Sequence, residues 1–392
     1  MYDFDEKVDR KGTGSWKWLT APEPVKSLGY LPLTIADMEF SVPAPIKDAL
    51  KNAAESGVCG YTIPDDEYLN ALCAFMLRKH NFKIAHDEVL FTAGVVPALG
   101  IAVRTFTKKD EGIIIQPPVY PPFANTIRLN GRKLLENPLI NNNGHFEMDF
   151  ENLEEIAKRK DAKLLILCSP HNPVGRVWTR DELIRLGDIC KKNGIIVIAD
   201  EIHGDVVYKG HEHTVFASLP GMEDISVICT AMSKTFNLAG LMCSNIIVKN
   251  KELRKCMQER IDIEGSCNIP YFACAATKAA YTQCDDWIEK LLSYLSDNLD
   301  FCYDFIEKRL PMLKCVRAEG TYLLFVDCRA LNMNDADLEC FMLNKAHLAL
   351  DEGYIFGTNG SGFERINVGA PRRELEAALL RLEDAIKSLE KK

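Results

Sequence analysis

Thr230-Ala231-Met232-Ser233-Lys234-Thr235-Phe236-Asn237-Leu238-Ala239-Gly240-Leu241 follows directly on an apolar run at 226–230. The run reads as a buried strand and the stretch as the loop that leaves its carboxyl end. Lys234 therefore stands where α/β sheets bind ligands. A lone lysine in such a loop is ordinarily a solvated charge. Here small and hydroxyl residues precede it, and Phe236 and Ala239-Gly240-Leu241 follow, which predicts an enclosed position. An enclosed lysine loses basicity, and its neutral amine can attack a carbonyl to form a Schiff base.

Outward from that loop, further apolar runs lie at 89–92, 112–116, 163–168, 195–199 and 244–248. They are rich in Val and Ile and mostly lack polar alternation, as expected of strands buried on both faces of a parallel sheet. Helical patterns fall between them at 95–106, 150–159 and 179–193. The last opens with Thr179 as cap and Glu182 three residues on, and Gly194 closes it. This alternation predicts an α/β domain with helices on both faces of its sheet. From 285 the pattern changes: a long helix at 285–310, a strand at 321–327, a helix at 335–346, a strand at 364–368 and a helix at 372–390. These predict a smaller α+β C-terminal domain. The first 45 residues are loop-like, with turn signals at Gly12, Gly14, Pro22, Pro24, Pro43 and Pro45. The expected division is an N-terminal segment 1–45 packing with the small domain, a large domain 46–285 and a small domain 286–392.

Composition agrees with a globular reading. The chain has 392 residues, 47% hydrophobic and 26% charged, with 24 Gly and 18 Pro. These values exclude collagen-like, low-complexity and fully disordered chains. A net charge of −9 argues against nucleic acid or an anionic membrane as partner. None of the 14 cysteines forms a C-x-x-C pair, so no zinc ribbon or thioredoxin-type motif is indicated. Cys168, Cys190, Cys229 and Cys243 lie in apolar stretches, as small buried hydrophobes do. The charged start, Met1 to Lys7, is no secretory signal, and no apolar run approaches the ~20 residues of a membrane span. A cytoplasmic protein is expected.

Three other strand ends carry polar residues. Asp200, in Ala199-Asp200-Glu201-Ile202-His203, follows an apolar run, where a carboxylate is costly to desolvate unless it meets a cation. Alone it also reads as an exposed strand-end acid. Ser169-Pro170-His171-Asn172-Pro173-Val174-Gly175 holds two X-Pro bonds close together, a rigid turn that would fix the Asn172 amide. Thr92-Ala93-Gly94-Val95-Val96-Pro97-Ala98 joins a strand to a helix with small residues, leaving backbone amides free to cradle phosphate. The P-loop pattern is absent. His211-Glu212-His213 lacks a third ligand nearby and reads as a polar loop, so no metal is expected. Gly357-Thr358-Asn359-Gly360-Ser361-Gly362 reads as a mobile loop leading into the strand of Arg365.

The order of these four strand ends, with Pro118-Val119-Tyr120 and Arg365-Ile366-Asn367, resembles fold-type I pyridoxal-phosphate enzymes of the class I/II aminotransferase superfamily. Gly12-Thr13-Gly14-Ser15-Trp16-Lys17-Trp18, Ala36-Asp37-Met38-Glu39-Phe40, Gly60-Tyr61-Thr62 and Asp200-Glu201-Ile202-His203 look closer still to the MalY/PatB subgroup of carbon–sulfur β-lyases, often called cystathionine β-lyases. Leu19 and Thr34 depart from that subgroup's pattern. The resemblance implies a mostly parallel seven-stranded sheet in the large domain. It implies that Lys234 carries the cofactor covalently and acts as acid/base, that Asp200 pairs with its ring nitrogen, and that Tyr120 stacks on the ring. Asn172 would bond the phenolic oxygen, with His203 beside it. Val95, Val96, Thr230 and Ser233 would hold the phosphate, with Tyr61 reaching in from the second subunit of a homodimer. Arg365, with Asn172 and Asp37, would bind the substrate. Met242 and Cys243 follow Gly240-Leu241, where ordinary aminotransferases often place a phosphate-binding arginine.

The expected activity is cleavage of L-cystathionine or a related L-cysteine S-conjugate to thiol, pyruvate and ammonia. An aminotransferase is the alternative. A third reading, a binding or regulatory protein that keeps the fold without turnover, is disfavoured by intact Lys234, Asp200 and Arg365.

Overall fold

A computed structural model describes residues 2–265 and 268–389. Its strands are β1 (Val89–Thr92), β2 (Gly112–Ile115), β3 (Lys133–Glu136), a hairpin of β4 (Ile140–Asn142) and β5 (His145–Glu147), then β6 (Ala162–Cys168), β7 (Ile196–Asp200), β8 (Ser226–Thr230) and β9 (Ser244–Ile247). Seven of them form one sheet in the order β1-β9-β8-β7-β6-β2-β3. The pairs from β8 through β7, β6 and β2 to β3 are parallel, whereas β9 runs antiparallel to both β8 and β1. Two reversals restore direction, so β1 ends at the same edge as β6, β7 and β8.

The apolar runs lack polar alternation because both faces of this sheet are covered. Ile113, Leu164, Ile166, Ile198, Val227 and Ile246 face one core, and their neighbours Ile114, Leu165, Val197, Ile228 and Ile247 face the other. That split is the two-residue period of a strand. The first core is closed by Ala98, Leu99 and Ala102 of helix Val95–Phe106 and by Met257 of helix Lys251–Ile263. The second takes Leu183 and Leu186 of helix Arg180–Lys192. That helix opens with the expected reciprocal cap: Thr179 Oγ1 accepts from Glu182 N at 3.2 Å and Thr179 N donates to Glu182 Oε2 at 2.8 Å. Gly194, just past its end, is left-handed at φ +66°.

Helix Asp285–Arg309 leads to a second sheet of β10 (Lys314–Cys315), β11 (Leu323–Asp327), β12 (Asp351–Glu352) and β13 (Phe363–Asn367), ordered β10-β11-β13-β12. Its apolar residues join the second core, so the two sheets share one packed interior. Helix Arg372–Leu389 closes the described chain, and the expected terminal residue Glu390 lies outside it. The strand expected from 321 begins at Leu323, because Thr321 is left-handed at φ +68° and breaks the extended run. Within 1–45, mostly loop as expected, two short helices form at Trp16–Leu19 and Val25–Leu28. The cysteines singled out at 168, 190, 229 and 243 are all buried and free.

Candidate active site

Four chain turns meet at the shared sheet edge. β8 ends at Thr230, and the short helix Met232–Thr235 presents Lys234 half-buried. Its Nζ donates to Ala36 O at 2.6 Å, a carbonyl that also accepts from Tyr322 Oη at 2.8 Å. Burial pushes the Lys234 ammonium down to about 8; Arg365 and Lys17 act in the same sense, while Asp37 and Asp200 oppose it. A usable fraction of neutral amine therefore exists near neutral pH.

Asp200 is the last residue of β7, buried, with Cys168 of β6 and Cys229 of β8 as its in-register neighbours. Burial raises its carboxyl to about 7, against a weak hydrogen bond from Ile202 N at 3.2 Å. An acid held up and a lysine held down, both by desolvation at one sheet edge, mark a site built to receive a polar group.

After β6, Ser169–Pro170 and Asn172–Pro173 are both cis. His171 Nε2 meets Pro118 O at 2.9 Å, which ties this turn to the Pro118-Val119-Tyr120 loop. Asn172 Oδ1 accepts from Arg365 Nη1 at 2.8 Å, leaving its amide N–H groups free to donate. Tyr120 is partly buried, and burial, with Asp200 nearby, raises its hydroxyl. His203 is buried with no partner for Nδ1. Burial, with the Lys234 and Arg365 charges, drops it far below the ordinary imidazole range.

At the end of β1, Gly94 takes φ +133° and ψ 166°, a conformation open to glycine, and caps helix Val95–Phe106. The first helical N–H groups have no intrahelical acceptor. Pro97 carries none, and Ala98 N reaches Gly94 O at 3.2 Å, so Val95 and Val96 supply the free amides. Thr230 and Ser233 are half-buried close to Lys234 in the chain.

Arg365, on β13, is buried and held at both ends, by Asn172 and by Asp351 Oδ2 at 2.5 Å. The register places Asp351 opposite Arg365. Asp37 sits beside Lys234 in an ion-pair cluster with Arg10 and Lys17. Tyr61 is not brought into this site: it is 100% exposed. Residue-by-residue reading missed Tyr322 and Asp351, whose neighbours in sequence carry no local signal. Of His211-Glu212-His213, His213 Nε2 pairs with buried Glu201 at 3.2 Å. Among the described residues no group of three or more His, Cys, Asp or Glu is placed to hold a metal. The 357–362 loop is pinned, with Thr358 on Glu136 at 2.6 Å and Asn359 on Leu139 O at 3.0 Å.

The residues present fit pyridoxal phosphate. A lysine of lowered basicity and an acid sit at the strand ends, two free amides lie on a long helix, and His203 Nδ1 and Arg365 Nε are buried without hydrogen-bond partners. A mostly parallel sheet with a lysine and an acid at its carboxyl edge, joined to a small sheet bearing a buried arginine, defines a fold-type I enzyme. A sequence profile for aminotransferase class I and II matches residues 29–382, and the chain belongs to that family. It is 38% identical to cystathionine beta-lyase PatB of Bacillus subtilis over 98% of this chain and 100% of that protein. It is 32% identical to protein MalY of Escherichia coli over 99% of this chain and 100% of that protein. The crystal structure of cystalysin from Treponema denticola, which contains a pyridoxal 5'-phosphate cofactor, superposes with a TM-score of 0.96 at 41% identity. That match covers 99% of this chain and 100% of the other.

Proposed function

We propose that the protein is a pyridoxal-phosphate-dependent carbon–sulfur β-lyase acting on L-cystathionine or a related L-cysteine S-conjugate. The overall change is R–S–CH₂–CH(NH₃⁺)–COO⁻ plus water to R–SH, pyruvate and ammonium. The observation that carries the reading is the combination of a weakly basic Lys234, a buried strand-end Asp200 and a doubly held Arg365. Full-length similarity to cystathionine beta-lyase PatB and to a C-S lyase of Staphylococcus hominis supports β-lyase over transaminase.

When bound, the cofactor supplies an electron sink conjugated to the substrate's Cα. The chain's own residues do the rest. Lys234 would hold the cofactor, and its neutral Nζ would take the Cα proton as general base. Asp200 would face the ring nitrogen and keep its proton there. Val95 and Val96 amides with the Thr230 and Ser233 hydroxyls would take the phosphate at the helix N-terminus. Tyr120 would cover the ring, and Asn172 would donate to its oxygen beside His203. Arg365 would leave Asp351 to grip the substrate carboxylate as a two-pronged donor, with Asn172 and Asp37 lining the same pocket. In this reading residues 46–285 hold the cofactor, 286–392 contribute Arg365, and 1–45 pack with the latter. Exposed Tyr61 would complete the partner subunit's phosphate site in a homodimer. The free thiols of the described cysteines support a cytoplasmic location.

The test is to incubate purified protein and pyridoxal phosphate with L-cystathionine, with and without a 2-oxo acid. Pyruvate, ammonia and thiol in equal amounts are expected. An absolute need for the 2-oxo acid, with a new amino acid formed, would make it a transaminase.

A further inference from the structure

The Gly12-to-Trp18 motif has no role in the proposed chemistry, yet its Lys17 delivers a buried cation to the site. Lys17 is 2% exposed. Its Nζ donates to Asp37 O at 2.8 Å and to Glu39 Oε1 at 2.9 Å, and lies 2.8 Å from Asp37 Oδ1. Arg10 closes the cluster, with Nη2 on Asp37 Oδ2 and Nη1 on Glu39 Oε1, both at 2.7 Å. Two cations and two carboxylates thus balance.

The main chain between them is equally constrained. Ile35 is left-handed at φ 49°, and Asp37 N turns back onto Ile35 O at 2.9 Å. Asn367 Nδ2 binds Ile35 O and Asp37 O, both at 2.7 Å. Consecutive carbonyls therefore receive two ammonium groups: Ala36 O takes Lys234, and Asp37 O takes Lys17. Buried ion pairs seldom add net stability over apolar residues of the same size, so stability alone does not account for four charges here.

We propose that Lys17 is a positioning residue for Lys234: with Arg10 it holds the Asp37 carboxylate and its peptide against the lysine, so that the N-terminal segment sets the charge Lys234 meets. The inference rests on the reading of Lys234 as the cofactor-binding amine. The charged and titratable groups around Lys234 are Asp37 and Lys17 from the N-terminal segment, Asp200 from β7 and Arg365 from β13, with His203 and Tyr322 beside them. Lys17 opposes the protonated form of Lys234 directly, and it also offsets Asp37, which favours that form. Removing it acts twice in one direction.

Lys17→Met should raise the pH midpoint of the Lys234 amine by about one unit, Asp37→Asn should lower it, and Lys17→Met on the Asp37→Asn background should move it much less. In the holoenzyme Lys234 Nζ is bound to the cofactor, and the pH dependence of cofactor absorbance reads the proton on that nitrogen, whose midpoint should move the same way. In the cofactor-free full chain the amine itself is read by competitive acylation of Lys234, followed by mass spectrometry. The second readout needs no cofactor, so failure of the cofactor reading and failure of this one are distinguishable. If Lys17→Met does not fold, Arg10→Met replaces it and should shift the midpoint the same way by less. An unmoved midpoint in folded Lys17→Met or Arg10→Met, or equal shifts with and without Asp37, would overturn the proposal.

Discussion

Asp200 stands between two thiols, Cys168 and Cys229, that offer its charge almost no solvation. Its folded value near 7 lies above the ordinary 3.8. Below about pH 4 both folded and unfolded chains hold the proton, and stability is unaffected. As pH rises from there to 7 the unfolded chain releases its proton first, and the folded state loses ground. Above 7 the whole cost is present, an upper value of roughly 4 kcal/mol. Cofactor-free Asp200→Asn should therefore be more stable than the cofactor-free parent at about pH 8. The difference should vanish near pH 4, as read by urea unfolding at both. Arg365 makes the opposite case. It is buried between Asn172 and Asp351, so it is no surface ion pair. Arg365→Leu should cost roughly 2–5 kcal/mol in kcat/KM while leaving the cofactor's absorbance in place. Lysine should rescue poorly, because it lacks the paired donors. Parent-like kcat/KM in the Leu variant would remove Arg365 from substrate binding.

At the level of elements, the strand ends do the positioning, and their legibility in sequence follows from physics that is local. Runs such as 163–168 announce buried strands, and the residue after each run lands at the ligand edge by topology alone. That is why Asp200, Asn172, Gly94 and Lys234 could be picked out before any coordinates. Asp351 and Tyr322 could not. Asp351 faces Arg365 only through the β12–β13 register, and Tyr322 meets Ala36 across 286 residues of chain. Long-range pairing of that kind leaves no trace in a window of sequence. Lys17 was visible as part of a motif, but its burial beneath Asp37 was not. The β1 turn gives an element-scale test. Gly94→Ala forces a side chain into φ +133°, which costs about 1–3 kcal/mol and tilts the Val95 and Val96 amides. Pyridoxal phosphate should dialyse away much faster from this variant, with little change in kcat at saturating cofactor. Unchanged retention would place the phosphate elsewhere.

For the molecule as a whole, the informative surface is around Tyr61. Val58 and Ile63 are also largely exposed, at 72% and 71%. Three large apolar side chains so close in sequence fit a face covered by a second copy. Sedimentation should show a dimer. Mixing inactive Tyr61→Ala and Lys234→Ala chains should restore part of the activity, since one site per mixed dimer would draw intact residues from each. A fully active monomer would contradict this. A last consequence belongs to the unpartnered atoms at the sheet edge. The chain folds around a buried acid and two unpartnered polar atoms, His203 Nδ1 and Arg365 Nε, that an incoming molecule can satisfy, so that molecule is a missing piece of the interior as well as a reagent. Whatever binds the native state alone deepens its well by mass action. Proteases that sample brief openings of the chain then see fewer of them. The abundance of this enzyme in a living cell should follow vitamin B6 supply, with the starved protein cleared first.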